Sequence, residues 1–397
     1  MGVPAGALAR IRGTHMNLLY LTGVRVYGPH LAEVNNAFRA WTVARNPSVR
    51  LGGLGFDGQP LARPVHLPDY LAALAAQGYR PDAVFLSDPW HNFWDPCADY
   101  PNCPSLYSGI DDIADMGAGL IVESGDSQFY YAETLRHLAV NPRSAVCIRA
   151  LSHRWRFCKH GDDRAMVGAE QPSTLGGVVR KDAKEACAEH RAAGLACDDL
   201  TCRLIRRPIL YLPHGAYPEM AAVSQGVAKE VDVLFSGSDM PDSYPARGRI
   251  ATALRSARAA GLTVDWLPHP SDAPPGVIGP DFWRRVARAR LAVAGTNAYG
   301  NLTMRYLEIP ACGTLAIGDV PVGEGDAEPG WREHMVVVEP DDGPDVITDK
   351  IRAAVADPAL PERTARARDF VYRHHSFARE ATRVLDEVRA LVAGWQK

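Results

Sequence analysis

The chain has 397 residues, room for about two to three domains, and its 47% hydrophobic and 22% charged content excludes a disordered chain or a coiled coil. Lys and Arg number 43 against 46 Asp and Glu, a formal net charge of −3. No global positive field exists to hold a polyphosphate backbone or an anionic membrane, so nucleic acid is disfavoured as a partner.

The residues before Met16 carry Arg10 and Arg12 but no apolar core of the kind a secretory signal needs, so Met16 is read as the natural start. No run approaches the roughly 20 apolar residues of a bilayer span. The compartment is read as cytoplasmic, and the eight cysteines as mostly reduced thiols. From Asn17 short apolar runs alternate with amphipathic segments: strands at Leu18 to Thr22, Ala83 to Ser87, Leu120 to Glu123, Val146 to Leu151 and Ile209 to Leu212, with helices at Leu31 to Ala44 and Phe129 to Ala139. The polar stretch at about 152–207 reads as an insertion. Pro213 to Lys229 has no clear periodicity, and the alternation restarts at the strand Val231 to Phe235. Further strands fall at Leu262 to Trp266, Leu291 to Ala294, Thr314 to Ile317 and Val336 to Val338, and helices at Arg247 to Ala260, Asp281 to Arg288, Thr303 to Pro310 and Val346 to Val355. The tail from Glu362 to Val392 reads as helical. This pattern predicts two consecutive doubly wound α/β domains, 16–229 and 230–397, with ligands at the carboxyl edges of parallel sheets.

The segment Ala292 to Glu308 is the most informative. A strand ends in the small-residue loop Gly295-Thr296-Asn297-Ala298-Tyr299-Gly300-Asn301-Leu302, and a helix begins near Thr303. Free N–H groups at a helix start favour a phosphate, and Arg305 adds charge to the same place. Arg305 and Glu308 share one helix face. Two readings follow: Arg305 on a phosphate with Glu308 on ribose hydroxyls, or an internal Arg305–Glu308 ion pair.

The second half resembles the CgeB-like glycosyltransferases, relatives of the family-1 group of GT-B fold. The carriers are Val231-Asp232-Val233-Leu234-Phe235-Ser236-Gly237-Ser238, Tyr244-Pro245-Ala246-Arg247, Arg305-Tyr306-Leu307-Glu308-Ile309-Pro310-Ala311-Cys312-Gly313-Thr314, Gly318-Asp319 and a tail with Arg363, Tyr372, His374, His375, Ser376 and Phe377. The resemblance implies two Rossmann-like domains facing a cleft, with a nucleoside diphosphate sugar on the second and the acceptor on the first. Donor contacts would come from Gly237, Ser238, Arg247, Thr296, Asn297, Gly300, Asn301, Leu302, Thr303, Arg305 and Glu308. The sequence does not select among UDP, GDP and dTDP. Related retaining enzymes carry a first Glu where this chain has Gly300, which leaves a retaining mechanism without that acid.

In the first half, the loop Thr22-Gly23-Val24-Arg25-Val26-Tyr27-Gly28-Pro29-His30 has Gly23 and Gly28 for close approach to a pyrophosphate. His30 at the following helix start resembles the general base of inverting family-1 enzymes, and Asp126 falls where that family orients the base. Helix capping by both residues is the alternative reading. Trp90, His91 and Trp94 form an aromatic loop suited to an acceptor or to anchoring the loop in its domain. His214 at the junction fits a cleft contact or a hinge.

Cys158, His160, Cys187, His190, Cys197 and Cys202 lie in the insertion, but their spacings miss the tight pairs of structural zinc sites, as does Cys97 to Cys103, so plain thiols are expected ahead of a disulfide such as Cys197 to Cys202 or a zinc site. With Arg247, Arg305 and the loop from Thr296 to Thr303 to neutralise the leaving diphosphate, and no clear Asp-x-Asp pattern beside a strand of the second half, the expectation is a metal-independent transferase with no cofactor besides its nucleotide-sugar co-substrate and a natural-product acceptor. A surface or spore-coat glycan acceptor, a sugar-nucleotide epimerase and a non-catalytic sugar-nucleotide binder remain as alternatives.

Overall fold

The computed structural model describes residues 16–22, 49–51, 65–87, 107–124, 141–148, 156–160, 163–167, 209–211, 214–242, 244–259, 261–267, 279–297, 302–321 and 330–396. Before the junction, the chain forms β1 (Leu18–Thr22), β2 (Val49–Leu51), β3 (Val65–His66), α1 (Leu67–Ala76), β4 (Ala83–Ser87), β5 (Tyr107–Ser108), β6 (Gly119–Ser124), β7 (Ser144–Ile148), β8 (Arg156–His160), β9 (Asp163–Val167) and β10 (Ile209–Tyr211). After it come α2 (Pro218–Ser224), β11 (Val231–Ser236), α3 (Pro245–Ala259), β12 (Val264–Leu267), α4 (Gly279–Arg288), β13 (Ala289–Val293), α5 (Arg305–Ala311), β14 (Leu315–Gly318), β15 (Met335–Val337), α6 (Pro344–Ala356), α7 (Leu360–His374) and α8 (Phe377–Trp395).

Two large all-parallel sheets result. The first has strand order β10-β7-β6-β4-β1-β2 and the second β12-β11-β13-β14-β15. In each, the first strand is internal, with its successor on one side and the later strands on the other. Connections therefore diverge at β1/β4 and at β11/β13, and such switch points leave a crevice outside the carboxyl ends of the strands. In sequence, residues 23–30 follow β1, those around Trp90 follow β4 and Asp126 follows β6, and all of these lie outside the described residues.

The second sheet shows why its strands read as almost unbroken apolar runs. Val233, Phe235, Leu291, Val293, Leu315 and Ile317 face one side, buried against Ile250 and Leu254 of α3 and Ile347 and Ile351 of α6. The alternate residues Leu234, Ala292 and Ala316 face the other side, with Phe282 and Val286 of α4 and Tyr306 and Leu307 of α5. Side chains alternate across a strand, so a strand covered on both faces must be apolar at both parities.

Several elements depart from the sequence reading. Residues 213–229, read as irregular, contain α2, which opens on Pro218. The insertion contains an antiparallel hairpin of β8 and β9. The tail is two helices, broken where Ala216 N–H donates to the His375 carbonyl (2.8 Å) and Phe377 N–H donates to the Ala216 carbonyl (2.9 Å). The Tyr217 and Phe377 rings stack at 4.7 Å beside this crossing, and Tyr372 Oη donates to the Tyr217 carbonyl (2.9 Å). From there α8 runs back to the first sheet. Its Trp395 ring fills the space over Gly119, and Gln396 Nε2 donates to Asp82 Oδ1 (3.2 Å).

Cys147 and Cys312 are buried, whereas Cys97, Cys103, Cys187, Cys197 and Cys202 lie outside the described residues. Among the described residues no helix is long and apolar enough to cross a membrane, and no three His, Cys, Asp or Glu side chains stand together as a metal site.

Candidate functional site

The carboxyl ends of β11 and β13 flank the second switch point, and the side chain of Arg247 fills the gap between them. Arg247 lies in the first turn of α3 and is 5% exposed. Its path depends on two glycines. A Cβ on Gly237 would collide with the guanidinium, and a Cβ on Gly295 would collide with the Arg247 Cγ and Cδ methylenes. Gly237 also has φ 91, a left-handed conformation that other residues adopt only with strain.

Arg247 Nη2 donates to the Ser236 carbonyl, its Nε is buried with no partner, and the guanidinium lies 4.6 Å from the centre of the Tyr244 ring. Among the described residues no carboxylate comes within ion-pair distance. Burial, reinforced by nearby Arg305, pulls the Arg247 pKa down to about 10. A buried cation without a counter-ion is costly, and an anion bound at this edge would repay that cost.

Beside it, the loop after β13 is clamped from inside. Asp319, just past β14, accepts the Thr296 N–H at Oδ1 (3.0 Å) and the Thr296 hydroxyl at Oδ2. Tyr306 Oη is 2.7 Å from the Asp319 carbonyl and 2.9 Å from its Oδ1. Burial and this carboxylate push the Tyr306 hydroxyl well above its usual range, so it stays a donor. Thr303 Oγ1 donates to the Gly295 carbonyl (3.0 Å), closing the loop at its far end. Thr296 thus spends both its donors on Asp319, and Leu302 is buried in the core.

Helix α5 starts at Arg305, two residues later than its pattern predicts, and spans 7 residues. Its Tyr306 and Leu307 N–H groups bond the Thr303 and Met304 carbonyls (3.1 and 3.0 Å). The helix start therefore offers fewer free donors than the sequence suggests, and Arg247 is the stronger anion-directed feature. Arg305 and Glu308 adopt the ion pair that one reading of their spacing foresaw. Arg305 Nη1 meets Glu308 Oε2 at 2.6 Å, and Glu308 is 1% exposed. Two residues of α4 hold this pair: Trp283 Nε1 donates to Glu308 Oε1 (3.2 Å), and the Phe282 ring lies 4.0 Å from Arg305 Cζ.

The structure thus brings Gly237, Ser238, Arg247, Thr296, Asn297, Thr303, Arg305 and Glu308 to one sheet edge and its following helix. Gly23, Gly28, His30, Trp90, His91, Trp94, Asp126, Gly300 and Asn301 lie outside the described residues. Sequence reasoning missed the roles of Tyr244, Phe282, Trp283 and Asp319. Tyr244 and Asp319 sat within the resemblance motifs; Phe282 and Trp283 carried only the signal of a core-facing helix.

Residues 248–386 match a family model described as glycosyl transferase-like. No curated protein matches the chain in sequence. Among solved structures, an alpha-glucosyltransferase in complex with UDP and a 13-mer DNA containing a HMU base shares 12% identity, with a TM-score of 0.54 over 95% of this chain and 99% of that one. An alpha-glucosyltransferase in complex with UDP gives 11% and 0.51 over 95% and 100%. A glycosyltransferase from Rickettsia africae ESF-5 gives 10% and 0.50 over 96% and 99%. At such identities the likeness shows the fold, which is GT-B, and within it residues 248–386 carry the glycosyl transferase-like family domain.

Proposed function

We propose that the enzyme transfers a sugar from a nucleoside diphosphate sugar to a small-molecule acceptor of the natural-product type, without a metal ion, in the cytoplasm. The observation that carries the donor half is Arg247, a buried guanidinium without a carboxylate partner among the described residues, seated between Gly237 and Gly295 at the switch point. Its charge would neutralise the departing diphosphate, the task a metal performs elsewhere. Arg305 would assist, and Glu308 would accept from the ribose hydroxyls. The UDP carried by two of the similar structures supports a nucleoside diphosphate as the ligand class. The DNA bound by one of them does not carry over to this chain, whose net charge is −3.

In this reading residues 16–229 hold the acceptor and residues 230–397 the donor. His30 takes the acceptor proton while the acceptor atom bonds to the anomeric carbon and the bond from that carbon to the diphosphate oxygen breaks. Asp126 orients the imidazole and stabilises its cation. Trp90, His91 and Trp94 would contact the acceptor. The CgeB-like subtype rests on the motifs at 231–238, 244–247 and 305–314.

A thermal-shift screen against UDP, GDP and dTDP tests the donor half. Specific binding stabilises by about 2.7 kcal/mol at a ligand concentration 100 times the Kd; no stabilisation by any of the three contradicts the reading. Donor turnover then separates the alternatives. Epimerised donor without transfer marks an epimerase, and binding without turnover against any acceptor marks a sensor. Retained transfer in both His30→Ala and Asp126→Asn removes the proposed dyad.

A further inference from the structure

Helix α4 packs beneath α5 and contributes neighbouring aromatics to opposite ends of one ion pair. Phe282 supports the Arg305 guanidinium from below at 4.0 Å, and the Trp283 indole N–H bonds the free oxygen of Glu308 at 3.2 Å. Trp283 is 6% exposed and Glu308 1%, so this hydrogen bond forms away from water, where it fixes the carboxylate plane tightly. Each carboxylate oxygen has two acceptor directions. Arg305 occupies one on Oε2 and Trp283 one on Oε1, which leaves one direction on each oxygen, aimed by the other two contacts.

We infer that Trp283 is a positioning residue for the nucleotide's ribose: its indole N–H sets the orientation in which Glu308 accepts from the sugar hydroxyls. The inference rests on the donor reading above and extends it to a side chain that touches no substrate. Indole nitrogen is a donor only, so the contact is one-way and phenylalanine cannot replace it. A purely structural Trp283 would fill space and satisfy its own N–H, with no effect on how the site tells one nucleotide from another.

The experiment measures dissociation constants of wild type and Trp283→Phe for UDP, GDP and dTDP, for the 2′,3′-dideoxy analogue of whichever binds, and for inorganic pyrophosphate. In the wild type, loss of the ribose hydroxyls weakens binding about tenfold or more, the size of a hydrogen bond to a charged group. In Trp283→Phe that ratio falls to within about threefold of unity while pyrophosphate affinity is unchanged. A ratio equal to that of the wild type in the folded variant overturns the inference and leaves the donor reading standing. Failure of wild type to bind any nucleoside diphosphate overturns both.

Should Trp283→Phe not fold, the indole N–H resonance of Trp283 in the intact protein gives the same answer. It shifts on adding the ribonucleotide and stays in place with the dideoxy analogue. A resonance that responds equally to both, or to neither, contradicts the inference.

Discussion

The two edges of the second sheet each hold a cation, and they treat it in opposite ways. At the amino edge, Lys229 Nζ donates to the carbonyls of Ala287 (2.8 Å), Ala289 (2.7 Å) and Gly313 (2.6 Å), with Thr314 Oγ1 at 3.0 Å. Burial lowers its pKa to about 8, but every proton of the ammonium has an acceptor. At the carboxyl edge, Arg247 has, among the described residues, one carbonyl, one ring face and a bare Nε. A saturated cation ties together α4, β13 and the start of β14. An unsaturated one, at the end where α/β sheets bind ligands, is equipped to receive an anion.

The sharpest way to break this comparison is to replace each cation with an isosteric apolar chain. Arg247→Met should weaken nucleoside diphosphate binding on the order of 100-fold or more, while calorimetry finds the ligand-free stability unchanged or raised, because an unpaired buried charge has gone. Lys229→Met should do the reverse. Its three carbonyls lose their donor, so denaturant unfolding should show a loss of about 3 kcal/mol, with nucleotide affinity retained. Equal effects on binding would erase the distinction between the edges.

A buried histidine shows what happens when no charge is kept. His375, stacked 5.0 Å from the Trp331 ring, has its pKa drawn down to about 4 by burial, with His374 and Arg379 adding to the effect. Its folded pKa lies below its unfolded value, so the unfolded chain takes up the proton first. Its share of stability is present at neutral pH and is lost as the pH falls from 6.5 towards 4. Between pH 7 and pH 5 the wild type should lose about 2 kcal/mol more than His375→Gln; identical acid profiles would show that this histidine is not held neutral. The smallest expected effect is at Gly295. An alanine there displaces the Arg247 stem, and nucleotide affinity should drop about tenfold with little change in the unfolding midpoint.

The same comparison explains what was legible in the sequence. Strands β1 and β4 fall on the residues that their apolar runs mark, each run closing on a small polar residue, Thr22 and Ser87, where the strand ends. Strand β13 starts at Ala289, two residues before its apolar run, because Arg290 points outward. The break at His375–Ser376 was invisible, since it depends on pairing with Ala216 far away in the chain. Arg247, Arg305 and Glu308 stood out by type and spacing, but spacing could not decide between a ligand contact and an ion pair. Trp283 and Lys229 were not legible as anchors: their partners are reached only through tertiary packing.

Isothermal titration of UDP, GDP and dTDP into wild type and Arg247→Met is the most direct test of the central claim. The account predicts that at least one nucleotide binds wild type and that its affinity collapses in the variant, whose fold is intact. Binding of equal strength in both proteins, or no binding to wild type, would contradict it.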